Sequence, residues 1–298
     1  MTLTQRLRRL APMLPAFLVL AICVGYGIGN VIWSATAWKI PDIGAYWNAA
    51  LRLRAGEELY PAVADVNASE VYRYAPWFAY AWVPLTYLPR PFVDAVWSVA
   101  LLVASAAVAM PAFRLRSRAA IAFAALIGSF LVLIASRGNV QPLMVAALVY
   151  GVERRSGPLW IAVCASLKAT PILFALVYVV RGEWSRAAWA AGLSALLIVP
   201  MALFDLQNYT TDPGASQSLF AISPALYAVT AGASVLAATY VAWRHRHLAW
   251  LAVAVAVVLC LPRYFAYELT FLFVGLVPAV DAWRTRERGS RAPAAVPA

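Results

Sequence analysis

Apolar stretches alternate with short polar strings along almost the whole chain. Runs covering about residues 11–38, 92–113, 119–135, 143–152, 159–180, 187–204, 224–243, 248–261 and 269–283 carry few charges. About 20 such residues cross a bilayer as a helix. The pattern predicts an all-α polytopic membrane protein: one helical bundle over residues 1–283, with a large outer loop at 39–91 that carries interfacial helices. A basic, Ala/Pro-rich cytoplasmic tail follows at 284–298, and its composition predicts disorder.

Arginine strings fall between alternate runs: Arg114, Arg116 and Arg118; Arg154 and Arg155; Arg181 and Arg186; Arg244 and Arg246; Arg284, Arg286, Arg288 and Arg291. Cytoplasmic loops carry the excess of Lys and Arg, so these strings belong inside. The run 159–180 decides the count, because Lys168 and Pro171 interrupt it. As one helix it would send the later arginine strings outside. A turn at 168–171 gives two short helices and returns them inside, and Pro lacks a donor and restricts its predecessor. The expectation is about ten helical passes, some short or broken, with both termini in the cytoplasm and Lys168 in the outer half of the membrane. Ala35-Thr36-Ala37 has the form of a signal-peptide cleavage site. The run before it is far longer than an h-region of roughly 7–15 residues, so it reads as a retained first span.

The outer loop is the longest stretch that is not simply hydrophobic, and it holds Asp42, Glu57, Glu58, Asp65 and Glu70, five of the thirteen acidic residues. Ile43, Tyr46, Trp47, Ala50 and Leu51 recur at helical spacing with Asn48 and Arg52 opposite. This predicts an interfacial helix over residues 42–55, stopped by Gly56. Residues 72–88 are rich in Tyr, Trp and Pro, which suits the headgroup level.

Composition agrees: 63% of the 298 residues are hydrophobic and 12% charged, against about a quarter charged in soluble domains. The net charge of +11 is accounted for by the inner arginine strings, so nucleic acid is not an expected partner. Cys23, Cys164 and Cys260 lie far apart inside apolar runs and read as packing residues. His245 and His247 sit in a basic string and read as a solvated loop. No Asp-x-Asp motif occurs in an outer loop, and neither a metal nor a cofactor is expected. The sequons Asn67-Ala68-Ser69 and Asn208-Tyr209-Thr210 fall outside but are short enough to arise by chance.

The outer side gathers Asp42, Arg137, Asn139, Gln141, Lys168, Arg263, Tyr267 and Glu268. A charge near the bilayer core costs at least about 2.5–3.5 kcal/mol, so such groups usually face a cavity. Acids and bases meeting at one membrane face point to an anionic, membrane-borne substrate. Structural roles compete at every position. Asp42 is placed to cap the interfacial helix, Arg263 to neutralise Glu268, and Lys168 to snorkel. Arg137 suits a headgroup anchor, Asn139 and Gln141 suit helix capping, and Tyr46 and Trp47 suit interface packing.

The segments DIGAYWNAALRLRAGEELYPAV, YRYAPWFAYAWVPLTYLP, RGNVQPLMVAAL, SLKATPILFALVYVVRGEW and LPRYFAYELTFLFVGLVPA, in this order, resemble glycosyltransferase family 87, multi-span enzymes of the C-type glycosyltransferase fold. The resemblance covers residues 1–283, and its most specific part is the first segment. It implies transfer of mannose from a polyprenyl-phosphate-mannose lipid to a glycan or glycolipid acceptor, in alpha-1,2 linkage, at the outer face of the cell membrane. It implies Asp42 as the general base on the acceptor hydroxyl. Lys168, Arg263 and Arg137 are then candidates for the donor phosphate, and Tyr46, Trp47, Asn139, Gln141, Tyr267 and Glu268 for the substrates. Two other functions remain open at this point: a transporter or flippase of a polyprenyl-linked lipid, and a non-catalytic lipid-binding membrane protein.

Overall fold

The structure, a computed structural model, describes residues 14–37, 40–65, 68, 70–115, 117–209 and 218–282. The first thirteen residues, Asn67 and Ser69 of the first sequon, Thr210 of the second, the 211–214 turn and the tail lie outside this set. The described residues form helices and no strands. Arg90–Arg114, Arg118–Ser136, Trp184–Leu203 and Pro224–Arg244 are long and apolar enough to cross a membrane. The last two are only 11% buried over their most apolar windows. Faces such as Leu196, Val199 and Leu203, or Val229 and Leu236, are therefore exposed, and so much contiguous apolar surface suits lipid, not water.

In chain order the helices are α1 (Leu14–Ala37), α2 (Pro41–Ala55), α3 (Pro76–Trp82), α4 (Arg90–Arg114), α5 (Arg118–Ser136), α6 (Gln141–Gly151), α7 (Gly157–Leu167), α8 (Ala175–Val180), α9 (Trp184–Ile198), α10 (Leu219–Ile222), α11 (Pro224–Arg244) and α12 (Ala249–Leu259). Tighter 3-10 turns extend several of them, and a 3-10 helix, Ala266–Leu276, runs through the centre. This central helix packs on α12, α5, α6 and α4, whereas α1 packs chiefly on α5. At the contact Gly27 approaches Val132 closely, with no room to spare for a larger residue.

The interruption expected at Lys168 is present. α7 ends at Leu167, Lys168 is extended (φ −144°, ψ 121°), and a 3-10 turn, Thr170–Phe174, leads into α8. The helix expected over residues 42–55 is also present. Pro41 takes its first position, where a missing N–H costs nothing. Gly56, at φ 72°, closes it by donating back to Leu53 and Arg52 carbonyls. Its buried side is Ile43, Ala45, Tyr46, Ala49 and Ala50. Leu51 is 39% exposed and Trp47 half-buried, so the inward stripe is turned from the expected one. The reason is aromatic packing. Tyr46 sits among Tyr74, Phe78, Trp82 and Trp97, with ring centroids 4.9–6.2 Å away, and this draws the Ala45–Ala49 side inward.

Polar groups collect at two ends of the bundle. At one, Arg181 Nη1 and Trp250 Nε1 each reach Glu153 Oε1 at 2.6 Å, and Arg186 Nη2 donates to the Val152 and Arg154 carbonyls at 2.7 and 2.8 Å. The loops after α6 and α8 and the start of α12 therefore share one end. The other end holds the candidate site.

Candidate active site

Five segments meet at the second end: the start of α2, residues 71–74, the α5–α6 turn, the break at Lys168 and residues 261–268. They enclose a cavity of about 800 Å³. Asp42, Tyr46, Arg73, Tyr74, Arg137, Asn139, Lys168, Arg263, Tyr267 and Glu268 all line it.

The turn between α5 and α6 fixes the acid. Gly138 adopts φ 81°, and a Cβ there would collide with Ile43 Cγ1 and lie 2.8 Å from Ile40 Cγ2. Glycine thus provides both the left-handed conformation and the close approach of this turn to the start of α2. Two bonds secure the approach: the Asp42 backbone N–H donates to the Arg137 carbonyl at 3.0 Å, and Trp97 Nε1 donates to the Gly138 carbonyl at 2.7 Å. Asn139 is then held from both sides. Its Oδ1 accepts the Gln141 backbone N–H at 2.9 Å, and its Nδ2 donates to Asp42 Oδ2 at 2.9 Å. Because the backbone donor fixes which side is oxygen, the amide can present only N–H to the carboxylate.

Asp42 does not cap its helix. Ile40 is the N-cap residue, no side-chain cap bond forms, and the carboxylate reaches across to another loop. It is half-buried and lines the cavity. Burial raises its pKa above the ordinary value. The Asn139 bond pulls the other way, followed by the charges of Arg137, Lys168 and Arg73. An acid shifted upward by desolvation while facing cations is suited to accept a proton.

Lys168 Nζ donates to Glu268 Oε1 and lies 4.9 Å from the centre of the Tyr267 ring. Glu268 is 2% exposed, so Lys168, and not Arg263 as one sequence reading allowed, is its partner. The Arg263 guanidinium instead lies 5.4 Å from the Phe265 ring centre, and Phe265 stacks on Tyr267. Arg137, a candidate headgroup anchor by sequence, is exposed at the cavity.

Two expected substrate residues are displaced. Gln141 is fully buried, donates to Thr270 Oγ1 at 3.2 Å and does not line the cavity. Its place in the first turn of α6 points it into the central packing. Trp47 also lies outside the cavity, with the Arg90 guanidinium 5.0 Å from its ring centre, because the buried side of α2 is turned away from it. Tyr46 is buried in the aromatic cluster, as the packing alternative had it, yet contributes to the cavity wall.

Sequence reasoning missed Arg73, Tyr74, Tyr26 and Tyr209. Arg73 and Tyr74 had a signal: an arginine between two tyrosines in a loop otherwise dominated by acids. Tyr26 is 62% exposed on α1 and also lines the cavity, beside Phe130 and Leu133 of α5. The cavity thus has a charged side and an apolar side that reaches the outward surface of α1. Among the described residues no group of three or more His, Cys, Asp or Glu is placed to hold a metal ion.

Comparison with protein-family models, curated proteins and solved structures finds no match to this chain. The functional reading rests on the residues themselves and on the resemblance carried by the five segments.

Proposed function

We propose that the protein is a membrane glycosyltransferase that moves a hexose from a polyprenyl-phosphate-sugar lipid to an acceptor hydroxyl, with Asp42 as general base. One observation carries this reading: a half-buried carboxylate shares a single cavity with Arg73, Arg137, Lys168 and Arg263, and that cavity has an apolar wall continuous with the surface of α1. A lipid-borne sugar phosphate has the same three parts: an apolar chain, an anion and a reacting carbon.

In the proposed step the acceptor O–H proton passes to Asp42. The acceptor oxygen bonds to the sugar C1, and the bond from C1 to the phosphate oxygen breaks. The electron pair leaves with the polyprenyl phosphate, whose growing charge the surrounding cations stabilise. Mannose as the sugar, the alpha-1,2 linkage and the C-type fold come from the family resemblance. The ten-pass arrangement rests on the apolar runs and arginine strings of the sequence, and the four long apolar helices support a membrane-spanning bundle. The end bearing Glu153, Arg154, Arg181 and Arg186 is the basic one, so under the positive-inside bias it faces the cytoplasm. The cavity then opens at the outer face of the cell membrane, with both termini inside.

The test is transfer of radiolabelled mannose from polyprenyl-phosphate mannose to octyl mannoside by the protein in lipid nanodiscs. Asp42→Asn retains an oxygen for the Asn139 bond and removes a buried charge, so it is expected to fold. Loss of a general base lowers turnover by about 10²–10⁴-fold. A flippase or a non-catalytic lipid binder gives no transfer even in the unaltered protein, and near-normal transfer by Asp42→Asn removes Asp42 from the mechanism.

A further inference from the structure

Hydrogen-bond directions around Asp42 single out a second residue. The Val140 backbone N–H donates to Tyr46 Oη at 3.2 Å, so Tyr46 is already an acceptor. Tyr46 is 0% exposed, so its own proton must also be used within the protein. The neighbouring oxygen is Tyr74 Oη, at 3.3 Å. Asn139 Nδ2, at 3.5 Å, approaches the same oxygen. Tyr74 Oη therefore receives, and no bond among the described residues takes the Tyr74 proton. Tyr74 is half-buried and lines the cavity, as does Asp42. Only Oδ2 of Asp42 is engaged, by Asn139, which leaves Oδ1 as an acceptor with no bond among the described residues.

Side by side in one cavity stand a donor that only donates onward and an acceptor that only accepts. A hydroxyl group, being both, satisfies the two at once. An ammonium group cannot accept from Tyr74, and an ether cannot donate to Asp42. Resting on the transferase reading above, we propose that Tyr74 is a second acceptor-binding residue: its O–H donates to the acceptor hydroxyl oxygen while Asp42 Oδ1 takes that hydroxyl's proton, and the pair selects alcohols as acceptors. The Tyr46 and Val140 donors fix the direction of the Tyr74 proton, and the Tyr46 and Phe78 rings, 5.4 and 5.5 Å away, fix the Tyr74 ring. Burial raises the Tyr74 phenol above its ordinary value, so the donor keeps its proton well above the pH at which Asp42 ionises.

The experiment uses Tyr74→Phe, which keeps the ring contacts and removes only the hydroxyl. Binding of octyl mannoside to the full-length protein in nanodiscs is measured by calorimetry, alongside the transfer assay. One lost hydrogen bond weakens binding by roughly fivefold to tenfold. The expected result is that loss, a higher acceptor KM and an unchanged donor KM. Because a single hydroxyl bridges both groups, Asp42→Asn with Tyr74→Phe should lose less than the product of the two single losses. Binding by Tyr74→Phe within twofold of the unaltered protein, losses that multiply in the double variant, or no saturable binding of octyl mannoside by the unaltered protein each overturns the proposal. Those outcomes are distinct from failure of the transferase reading, which shows as no mannose transfer by the unaltered protein.

Discussion

Replacing Asn139 tests how the site sets the basicity of its acid. The Asn139 amide makes the one hydrogen bond that the Asp42 side chain receives among the described residues, at 2.9 Å. It favours the charged form, so its loss moves the Asp42 pKa further up from a value that burial has already raised. A hydrogen bond to a charged group contributes about 1.5–3 kcal/mol. Asp42 is only half-buried, so the lower figure applies. The transfer step needs the carboxylate, so kcat/KM rises with pH through this pKa. The acidic limb should lie above the ordinary aspartate value of about 3.9 in the unaltered protein, and higher still in Asn139→Ala. Asn139→Asp is a second arm: it keeps an oxygen for the Gln141 N–H but sets two carboxylates together, which raises one of them more strongly. The order of limbs is unaltered, then Ala, then Asp. Thermal unfolding measured in parallel separates this from damage to the α5–α6 turn, since a loosened turn lowers the melting temperature without moving the limb. A limb that stays put or moves to lower pH in Asn139→Ala refutes the reasoning.

Two further outcomes follow from the same geometry. The Lys168 and Glu268 side chains are 14% and 3% exposed, so Glu268→Leu alone leaves a largely buried cation and should cost about 3–5 kcal/mol. Lys168→Met combined with it should recover most of that in thermal unfolding while transfer stays low, and equal stability of single and double variants would contradict the pairing. Gly138→Ala forces a left-handed alanine at about 1–2 kcal/mol, with a further clash against Ile43 and Ile40. It should lower both stability and transfer, and adding Ile43→Ala should restore part of the stability but not the activity that depends on Asn139 reaching Asp42.

What the sequence revealed was local. The break at Lys168 follows from a charge and a proline inside an apolar run, and the stop at Gly56 from one residue's freedom at φ 72°. Both features act within a few residues, so the chain displays them. The hidden features depend on partners remote in sequence. Glu268 lies 100 residues from Lys168, and nothing local distinguishes that partner from nearby Arg263. Asn139 reaches Asp42 across 97 residues, a contact contained in neither its sugar-binding nor its capping reading, while its other end accepts the Gln141 N–H. The turn of α2 was legible only as a stripe some residues wide. Which edge of it faced inward was decided by aromatic rings contributed from α3 and α4.

The break at Lys168 also ties the two ends of the bundle to a single physical requirement. A continuous helix from residue 157 to residue 180 would be about 35 Å long and would carry Arg181 to the end opposite Glu153. Arg181 instead sits 2.6 Å from Glu153, which is reachable only if the chain reverses between them. The reversal leaves backbone groups without the regular helical ladder, and in an apolar surrounding each must find a partner. Lys168 N–H donates to Cys164 as the last α-type bond of α7, and Ile172 N–H donates to Ala169 within the 3-10 turn. The same reversal carries the Lys168 ammonium to Glu268 and the cavity and keeps Arg181 with the basic loops. One interruption therefore places a cation at the proposed phosphate site and keeps Arg181 and Arg186 beside Glu153 and Arg154. A continuous helix through these residues would undo both.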